Sequence, residues 1–205
     1  GIAAGRPAPP GIWNGIMTGT VSGRRQAPMT SGRLAAPMSS GHLAAPRRYL
    51  ALWFPFLSAE RLAWVQREAG GAPAEAPVVL AERGRGGRRV SAVDRRAAAL
   101  GGAAGQSLAE VQARLRPLAV LAADRQADAG FLAWLAGLCE RFTPLVALAP
   151  PDGLVLDITG CAHLFAGEAG MLATLRARLG RTGLTVRDSI AGTPDAARAL
   201  ARFGP

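Results

Sequence analysis

The sequence contains no lysine, so all 24 basic residues are arginines, against 14 acidic residues. The formal charge of +10 favours a polyanionic partner, because the guanidinium fork matches phosphate geometry, but charge alone leaves its identity open. Only two cysteines occur, which argues against a disulfide-rich secreted scaffold and favours a reduced intracellular protein. No apolar run approaches the roughly 18 residues that span a bilayer, and no signal peptide is evident. We therefore expect a cytoplasmic protein with no membrane partner.

Residues 1–46 differ in composition from the rest of the chain. They are rich in Gly, Pro, Ala and Ser, carry four arginines and no acid, and nearly duplicate a nine-residue unit at 27–35 and 36–44. Because such a segment buries little apolar surface, we predict a disordered leader. Two other interpretations stay open, namely a translation start assigned too far upstream and a basic tethering arm.

From Tyr49 onward, apolar strands alternate with amphipathic helices, as is typical of an α/β or α+β domain. The predicted strands cover residues 49–54, 77–80, 89–93, 118–121, 145–148, 154–158 and 184–190. The predicted helices cover residues 58–67, 94–100, 107–115, 124–142, 167–179 and 193–203. The predicted N-caps are Ser58, Ser107 in a capping box with Glu110, Asp124, and Thr193 ahead of Pro194.

Four motifs in this order resemble those of Y-family (UmuC/DinB-like) DNA polymerases. They are Ala-Val-Asp-Arg-Arg at 92–96, Arg-Phe-Thr-Pro-Leu-Val at 141–146, Leu-Asp-Ile-Thr at 156–159, and the helix-forming segment 190–201. Leu-Ala-Leu-Trp at 50–53 and the run from Pro150 to Phe165 are typical of the catalytically degenerate, ImuB-type branch of bacterial mutagenesis cassettes. The resemblance covers roughly residues 47–204 and is strongest to that branch.

The resemblance implies an α+β polymerase palm, a mixed or antiparallel sheet with helices on one face, and a small fingers lobe. It assigns residues 47–57 and 118–205 to the palm-like domain and 58–117 to the fingers-like lobe. The family's little finger and C-terminal region would lie beyond Pro205.

Phosphoryl transfer in this family uses two Mg²⁺ ions, which need carboxylates converging from two strands. The family's first strand supplies Asp-x-Asp, and the matching positions here are Ala51 and Trp53. The family's other acids lie in a hairpin that corresponds to the predicted strands 145–148 and 154–158. In the turn between them Asp152 matches one acid, whereas Gly153 stands where the second belongs. The resemblance therefore implies no functional catalytic residue, Asp152 as a relic in a turn, no metal site and no cofactor. Cys161 and His163 lack the further ligands that zinc needs.

The nucleotide-phosphate contacts of the family are also reduced. Its tyrosine and lysine correspond to Val93 and Pro194, whereas Arg96 is retained. We predict phosphate or DNA contacts at Arg96, and at Arg88 and Arg89 in the arginine-rich turn between two predicted strands. A solvated basic turn with no specific ligand is an equally open interpretation.

The predicted function is that of a non-catalytic polymerase-like component of SOS-type, DNA-damage-induced mutagenic translesion synthesis, acting as a DNA- and protein-binding adaptor. The resemblance implies damaged or primed DNA, a sliding clamp, an error-prone polymerase subunit and a RecA-like accessory protein as partners. One alternative is an active translesion DNA polymerase that uses Mg²⁺ at a relocated site. The other is a simple arginine-rich DNA-binding module.

Overall fold

A computed structural model describes residues 46–72 and 74–204; apart from Pro46, the predicted leader lies outside the described residues. The strands are β1 (Tyr49–Trp53), β2 (Val78–Gly84), β3 (Gly87–Val93), β4 (Ala119–Ala122), β5 (Val146–Ala149), β6 (Gly153–Asp157) and β7 (Arg187–Ala191). The helices are α1 (Leu57–Glu68), α2 (Arg95–Ala99), α3 (Leu108–Arg114), α4 (Arg125–Cys139), α5 (Glu168–Gly180) and α6 (Pro194–Phe203). Each predicted strand and helix is present, with shifts at the ends. None of these helices is both long and apolar enough to cross a membrane.

The larger sheet has the strand order β5-β6-β1-β7, and every neighbouring pair in it is antiparallel. Its strands alternate between two faces, as a pleated backbone requires. Leu50, Leu52 and Phe54 point into the main core, where they pack with the buried faces of α1, α4 and α5. Aromatic residues of α1 and α4 extend this core, with the rings of Phe131 and Trp134 stacked 5.3 Å apart.

The second face of this sheet is covered by α6. Ala51 of β1 packs there with Ala197 and Ala201, and all three residues are almost fully buried. Their small side chains let the helix approach the sheet closely. The α+β class and the palm-like sheet are thus confirmed, but the expectation of helices on one face only is too simple, because α6 occupies the other.

The smaller sheet has the order β3-β2-β4, in which β2 pairs antiparallel with β3 and parallel with β4. With α2 and α3 it encloses a separate small core that contains Val79, Val90, Ala97 and Val111. The predicted boundary at 117/118 assigned β4 to the palm, whereas β4 hydrogen-bonds to a strand of the fingers-like lobe. Apart from this strand pairing, the division into palm and fingers stays a prediction.

Two of the four predicted side-chain caps are present. Asp124 accepts a hydrogen bond from the Ala127 N–H, and Thr193 accepts one from the Ala196 N–H. Ser107 stands at the predicted N-cap position of α3 but makes no side-chain cap bond, so the predicted capping box with Glu110 was wrong.

Ser58 is not a cap either, because α1 already begins at Leu57. Its hydroxyl donates to Asp128 Oδ2 at 2.7 Å, and the same carboxylate accepts from Arg61 Nε at 2.6 Å. The Arg61 and Asp128 side chains are only 6% and 15% exposed. A buried ion pair that the sequence did not predict therefore joins α1 to α4.

Candidate functional site

The β5–β6 hairpin brings its turn directly against the end of β1. Gly153 lies opposite Ala149 within the hairpin and opposite Trp53 of β1. The backbone carbonyl of Asp152 accepts a hydrogen bond from the Phe54 N–H at 2.8 Å. Two strands thus converge where the family pattern places its carboxylates, but they bring an indole, a glycine and one aspartate.

Both carboxylate oxygens of Asp152 are engaged by neighbouring side chains. Trp53 Nε1 donates to Oδ2 at 3.0 Å, and Arg202 Nη2 lies 2.5 Å from Oδ1 and 2.7 Å from Oδ2. The Arg202 guanidinium carbon also lies 5.1 Å from the centroid of the Trp53 ring, a cation–π distance. We call this group the Trp53–Asp152–Arg202 cluster. It neutralises the one retained acid with a cation that the protein itself supplies.

Arg187 of β7 completes the surroundings of the indole. Its guanidinium carbon lies 5.9 Å from the Trp53 ring centroid, and its Nη2 donates to the carbonyl of Gly204. Beside the cluster lies a cavity of about 210 Å³, lined in part by Asp195 and Arg198. These two side chains are exposed and 3.6 Å apart.

Two of the three positions where the family has acids and this chain does not are crowded, namely Ala51 and Gly153. Ala51 is 1% exposed and lies beneath α6. A Cβ atom at Gly153 would lie 3.1 Å from the carbonyl oxygen of Ala149 and 3.2 Å from that of Leu52. An acidic side chain at either position would therefore require neighbouring groups to shift, whereas the Trp53 position is partly exposed.

These residues do not fit the pair of Mg²⁺ ions used by the family. Mg²⁺ takes oxygen ligands in a near-octahedral arrangement, and two such ions need several carboxylates. Of the positions where the family has acids, only Asp152 carries a carboxylate, and a guanidinium shares its oxygens, while Asp195 on the cavity wall lies 3.6 Å from Arg198. Across residues 46–72 and 74–204, no group of three or more His, Cys, Asp or Glu side chains is arranged to hold a metal ion.

Arg96 lies in the first turn of α2, where protein atoms occupy its guanidinium. It donates to the backbone carbonyls of Ala74, Glu75 and Ala76, and to Asp94 Oδ2 at 3.2 Å. The side chain thus ties the segment before β2 to α2. Phosphate contact by Arg96 stays a prediction, and it would require a bound phosphate to compete with these four acceptors.

Arg88 and Arg89 lie at the start of β3, next to the turn of the β2–β3 hairpin. Arg88 pairs across the hairpin with Arg83, and Arg89 donates to the Gly105 carbonyl at 2.9 Å. Arg83, Arg85, Arg88 and Arg89 are all exposed, and we call them the hairpin arginines. Their contact with DNA stays a prediction.

Asp157, the two cysteines and His163 have structural positions. Asp157 Oδ1 accepts from the Thr159 N–H at 3.0 Å, and hydrogen bonding to Thr159, mainly through its side chain, lowers the pKa of Asp157. Burial raises the pKa of the Cys139 thiol to about 12, which makes it a poor nucleophile. Cys161 and His163 lie at and within a short 3-10 helix, Ala162–Phe165, and belong to no metal-binding group among the described residues.

The sequence patterns did not predict the roles of Trp53 and Arg202. Trp53 was considered only as the replacement of an acid. A signal was available for Arg202, because Ala197 and Ala201 form the buried stripe of α6, which directs Arg198 and Arg202 to its neighbouring face. The helical periodicity could not predict which carboxylate Arg202 would contact.

The sequence model of the impB/mucB/samB family matches residues 63–202, which is more than half of the chain. The chain belongs to the impB/mucB/samB family. It is also 48% identical over 101 residues to Protein ImuB of two strains of Caulobacter vibrioides, NA1000/CB15N and ATCC 19089/CB 15. Each of these alignments covers 49% of this chain and 22% of the relative. The resemblance to the Y-family and to its ImuB-type branch is thereby confirmed.

Solved Y-family polymerase structures have the same fold. The insertion ternary complex of Dbh DNA polymerase matches with a TM-score of 0.64 at 17% identity, covering 76% of this chain and 45% of that one. DinB from Sulfolobus solfataricus matches with a TM-score of 0.62 at 16% identity, with the same coverage. The chain thus spans less than half the length of these polymerases, and the likeness shows the fold alone.

Proposed function

We propose that this chain is the palm-and-fingers part of a non-catalytic, polymerase-like component of damage-induced mutagenic DNA synthesis. In this role the protein binds primed or damaged DNA and partner proteins but transfers no nucleotide. We further propose that it acts in the cytoplasm without a cofactor. The proposed protein partners are those of the family: a sliding clamp, an error-prone polymerase subunit and a RecA-like accessory protein.

The Trp53–Asp152–Arg202 cluster carries the non-catalytic part of the proposal. A working palm presents unpaired carboxylates whose charge two divalent cations balance. In this palm the retained carboxylate is balanced by Arg202, and the indole of Trp53 lies at a position where the family has an acid. Nucleotidyl transfer would require breaking the cluster and adding carboxylates at crowded positions.

Primer extension by the full-length protein tests this proposal. The assay contains a primed template, all four deoxynucleotides and either Mg²⁺ or Mn²⁺, with an active Y-family polymerase as positive control. We expect binding of the primed template without incorporation. Incorporation by the wild type that disappears in Asp152→Asn would overturn the proposal in favour of an active polymerase.

The hairpin arginines support the DNA-binding part of the proposal. They are exposed, and each phosphate neutralised by a basic side chain contributes about −0.9 to the slope of log affinity against log salt. Replacing Arg88 and Arg89 together by alanine should therefore weaken duplex binding and reduce the slope by up to about 2.

A matched control separates direct contact from net charge. Arg48 and Arg176 each form a two-pronged ion pair with a carboxylate, so replacing both by alanine removes the same charge elsewhere. We expect the control to alter DNA binding much less. Equal effects of the two double variants would count against a contact through the hairpin.

A further inference from the structure

A second concave surface lies on the opposite side of the larger sheet from the Trp53–Asp152–Arg202 cluster. It runs between α5 and the segment that follows α4, and it encloses about 570 Å³ of open space. Arg141, Arg178 and Arg181 line it, with Ala173 and Ala177 along its wall. We call it the α4–α5 groove. Met171, Leu175 and Leu179 hold α5 in the main core, which fixes the side of the sheet on which the groove lies.

The three groove arginines lack carboxylate partners within residues 46–72 and 74–204. Some arginines nearby are paired: Arg48 with Glu168, and Arg176, on α5 itself, with Asp188. The groove therefore concentrates positive charge that the described part of the chain does not balance.

Arg178, which lines the groove, also has one guanidinium nitrogen without an acceptor. The Nε of Arg178 is buried, and no described residue accepts a hydrogen bond from it. A buried donor without an acceptor is rare in folded proteins and requires an explanation. Arginine near the C-terminal end of a helix is favoured by the helix dipole, which accounts for positive charge at this end of α5. The dipole does not explain why Arg141, which follows α4, lines the same concave surface.

The chemistry of the groove favours carboxylates carried by a peptide. Guanidinium forks bind carboxylates through paired, charge-assisted hydrogen bonds, and the alanine wall lets a peptide backbone come close. Phe142 also contacts the groove, but it is only 3% exposed and offers no ring face on which a base could stack. Single-stranded nucleic acids depend on such stacking surfaces for much of their affinity.

We propose that the α4–α5 groove is a docking site for an acidic, Asp/Glu-rich segment of a partner protein. Arg178 and Arg181 form the main carboxylate contacts, and Arg141 binds from the other side of the groove. The inference does not depend on the absence of nucleotidyl transfer, because the groove lies on the other face of the sheet from the palm site.

Fluorescence anisotropy with the full-length protein and a labelled Glu/Asp-rich peptide tests the proposal. The variant Arg178→Gln/Arg181→Gln should bind the peptide at least about tenfold more weakly, since two charge-assisted contacts are lost. The control Arg48→Gln/Arg176→Gln removes the same charge from arginines that already have partners. It should change the affinity by no more than about twofold, as expected for a long-range charge effect.

A second variant tests whether weaker peptide binding is caused by loss of the fold. Ala177→Glu leaves every arginine in place but puts a carboxylate on an exposed position of the groove wall, where it competes with the peptide. It should also weaken binding while thermal unfolding stays close to wild type. Unchanged peptide affinity in both groove variants would overturn the proposal and leave the arginines a helix-end role.

A second binding measurement replaces the peptide with a labelled single-stranded oligonucleotide of matched charge. Its affinity should be the same for the groove variant and the control variant. If the groove substitutions weaken oligonucleotide binding more than peptide binding, the groove binds nucleic acid and the proposed peptide partner is wrong.

Discussion

The ion pair between Asp152 and Arg202 should contribute measurably to stability as a contact within the fold. Its N–O distances are 2.5 and 2.7 Å, and the side chains of Arg202 and Asp152 are 40% and 24% exposed. Fully exposed pairs contribute about 0.2–1 kcal/mol, and hydrogen bonds to charged groups about 1.5–3 kcal/mol. For this half-exposed geometry, after allowance for solvent screening, we expect a coupling of about 1–1.5 kcal/mol.

A double-mutant cycle measures this coupling directly. Asp152→Asn, Arg202→Gln and the double variant are compared with wild type by urea unfolding, with and without Mg²⁺. The asparagine keeps an acceptor for the Trp53 indole, so the cycle isolates the ionic contact. Because Arg202 already balances the carboxylate, the wild-type stability should not change with Mg²⁺. A coupling near zero, or a wild type that Mg²⁺ stabilises in a way that Asp152→Asn abolishes, would refute this reasoning.

Three further predictions follow from contacts within the described residues. Asp128→Asn should lower the free energy of unfolding by about 3–5 kcal/mol, because it leaves the buried Arg61 without a counter-charge. Glu82→Gln, which breaks the exposed pair with Arg125, should have a far smaller effect in the same urea titration. Similar losses in the two variants would contradict the burial argument. Gly153→Ala should destabilise the fold by about 1–3 kcal/mol, because the added methyl crowds two carbonyl oxygens. Gly130→Ala, at an open position of α4, should instead stabilise it by about 0.5–1 kcal/mol. Thermal unfolding measures both, and a more stable Gly153→Ala than Gly130→Ala would contradict the argument. Burial raises the pKa of Cys139 to about 12, so the thiol should resist alkylation by iodoacetamide at neutral pH until urea unfolds the protein. Rapid labelling of the native protein, detected by mass spectrometry, would count against that burial.

The order of secondary structure could be predicted because local patterns determine it. Apolar runs bounded by turn residues predicted β5 and β6, and Asp124 and Thr193 marked the starts of α4 and α6. The pairing of β4 with β2 could not be predicted in this way. Parallel pairing depends on which sheet edge a strand reaches, and that is decided by packing between segments distant in sequence.

Side-chain partners across the fold were the least predictable feature. The resemblance identified Asp152 as the retained acid of the hairpin and Gly153 as the replacement of the other. It did not indicate that Arg202, fifty positions further along the chain, would neutralise Asp152. The contacts of Arg96 with backbone carbonyls were equally hidden, because the segment 74–76 carries no motif that points to them. Such contacts depend on how helices and loops pack, so they require the three-dimensional structure.

The most direct test of the central claim is whether a divalent metal ion binds beside Asp152. Mn²⁺ broadens nearby NMR resonances, and the indole N–H of Trp53 lies 3.0 Å from the Asp152 carboxylate. Trp64 and Trp134 pack in the main core on the other side of the sheet and serve as internal references. We predict that Mn²⁺ broadens the Trp53 indole resonance no more than those of the two references. Selective loss of the Trp53 resonance in wild type, but not in Asp152→Asn, would contradict the account.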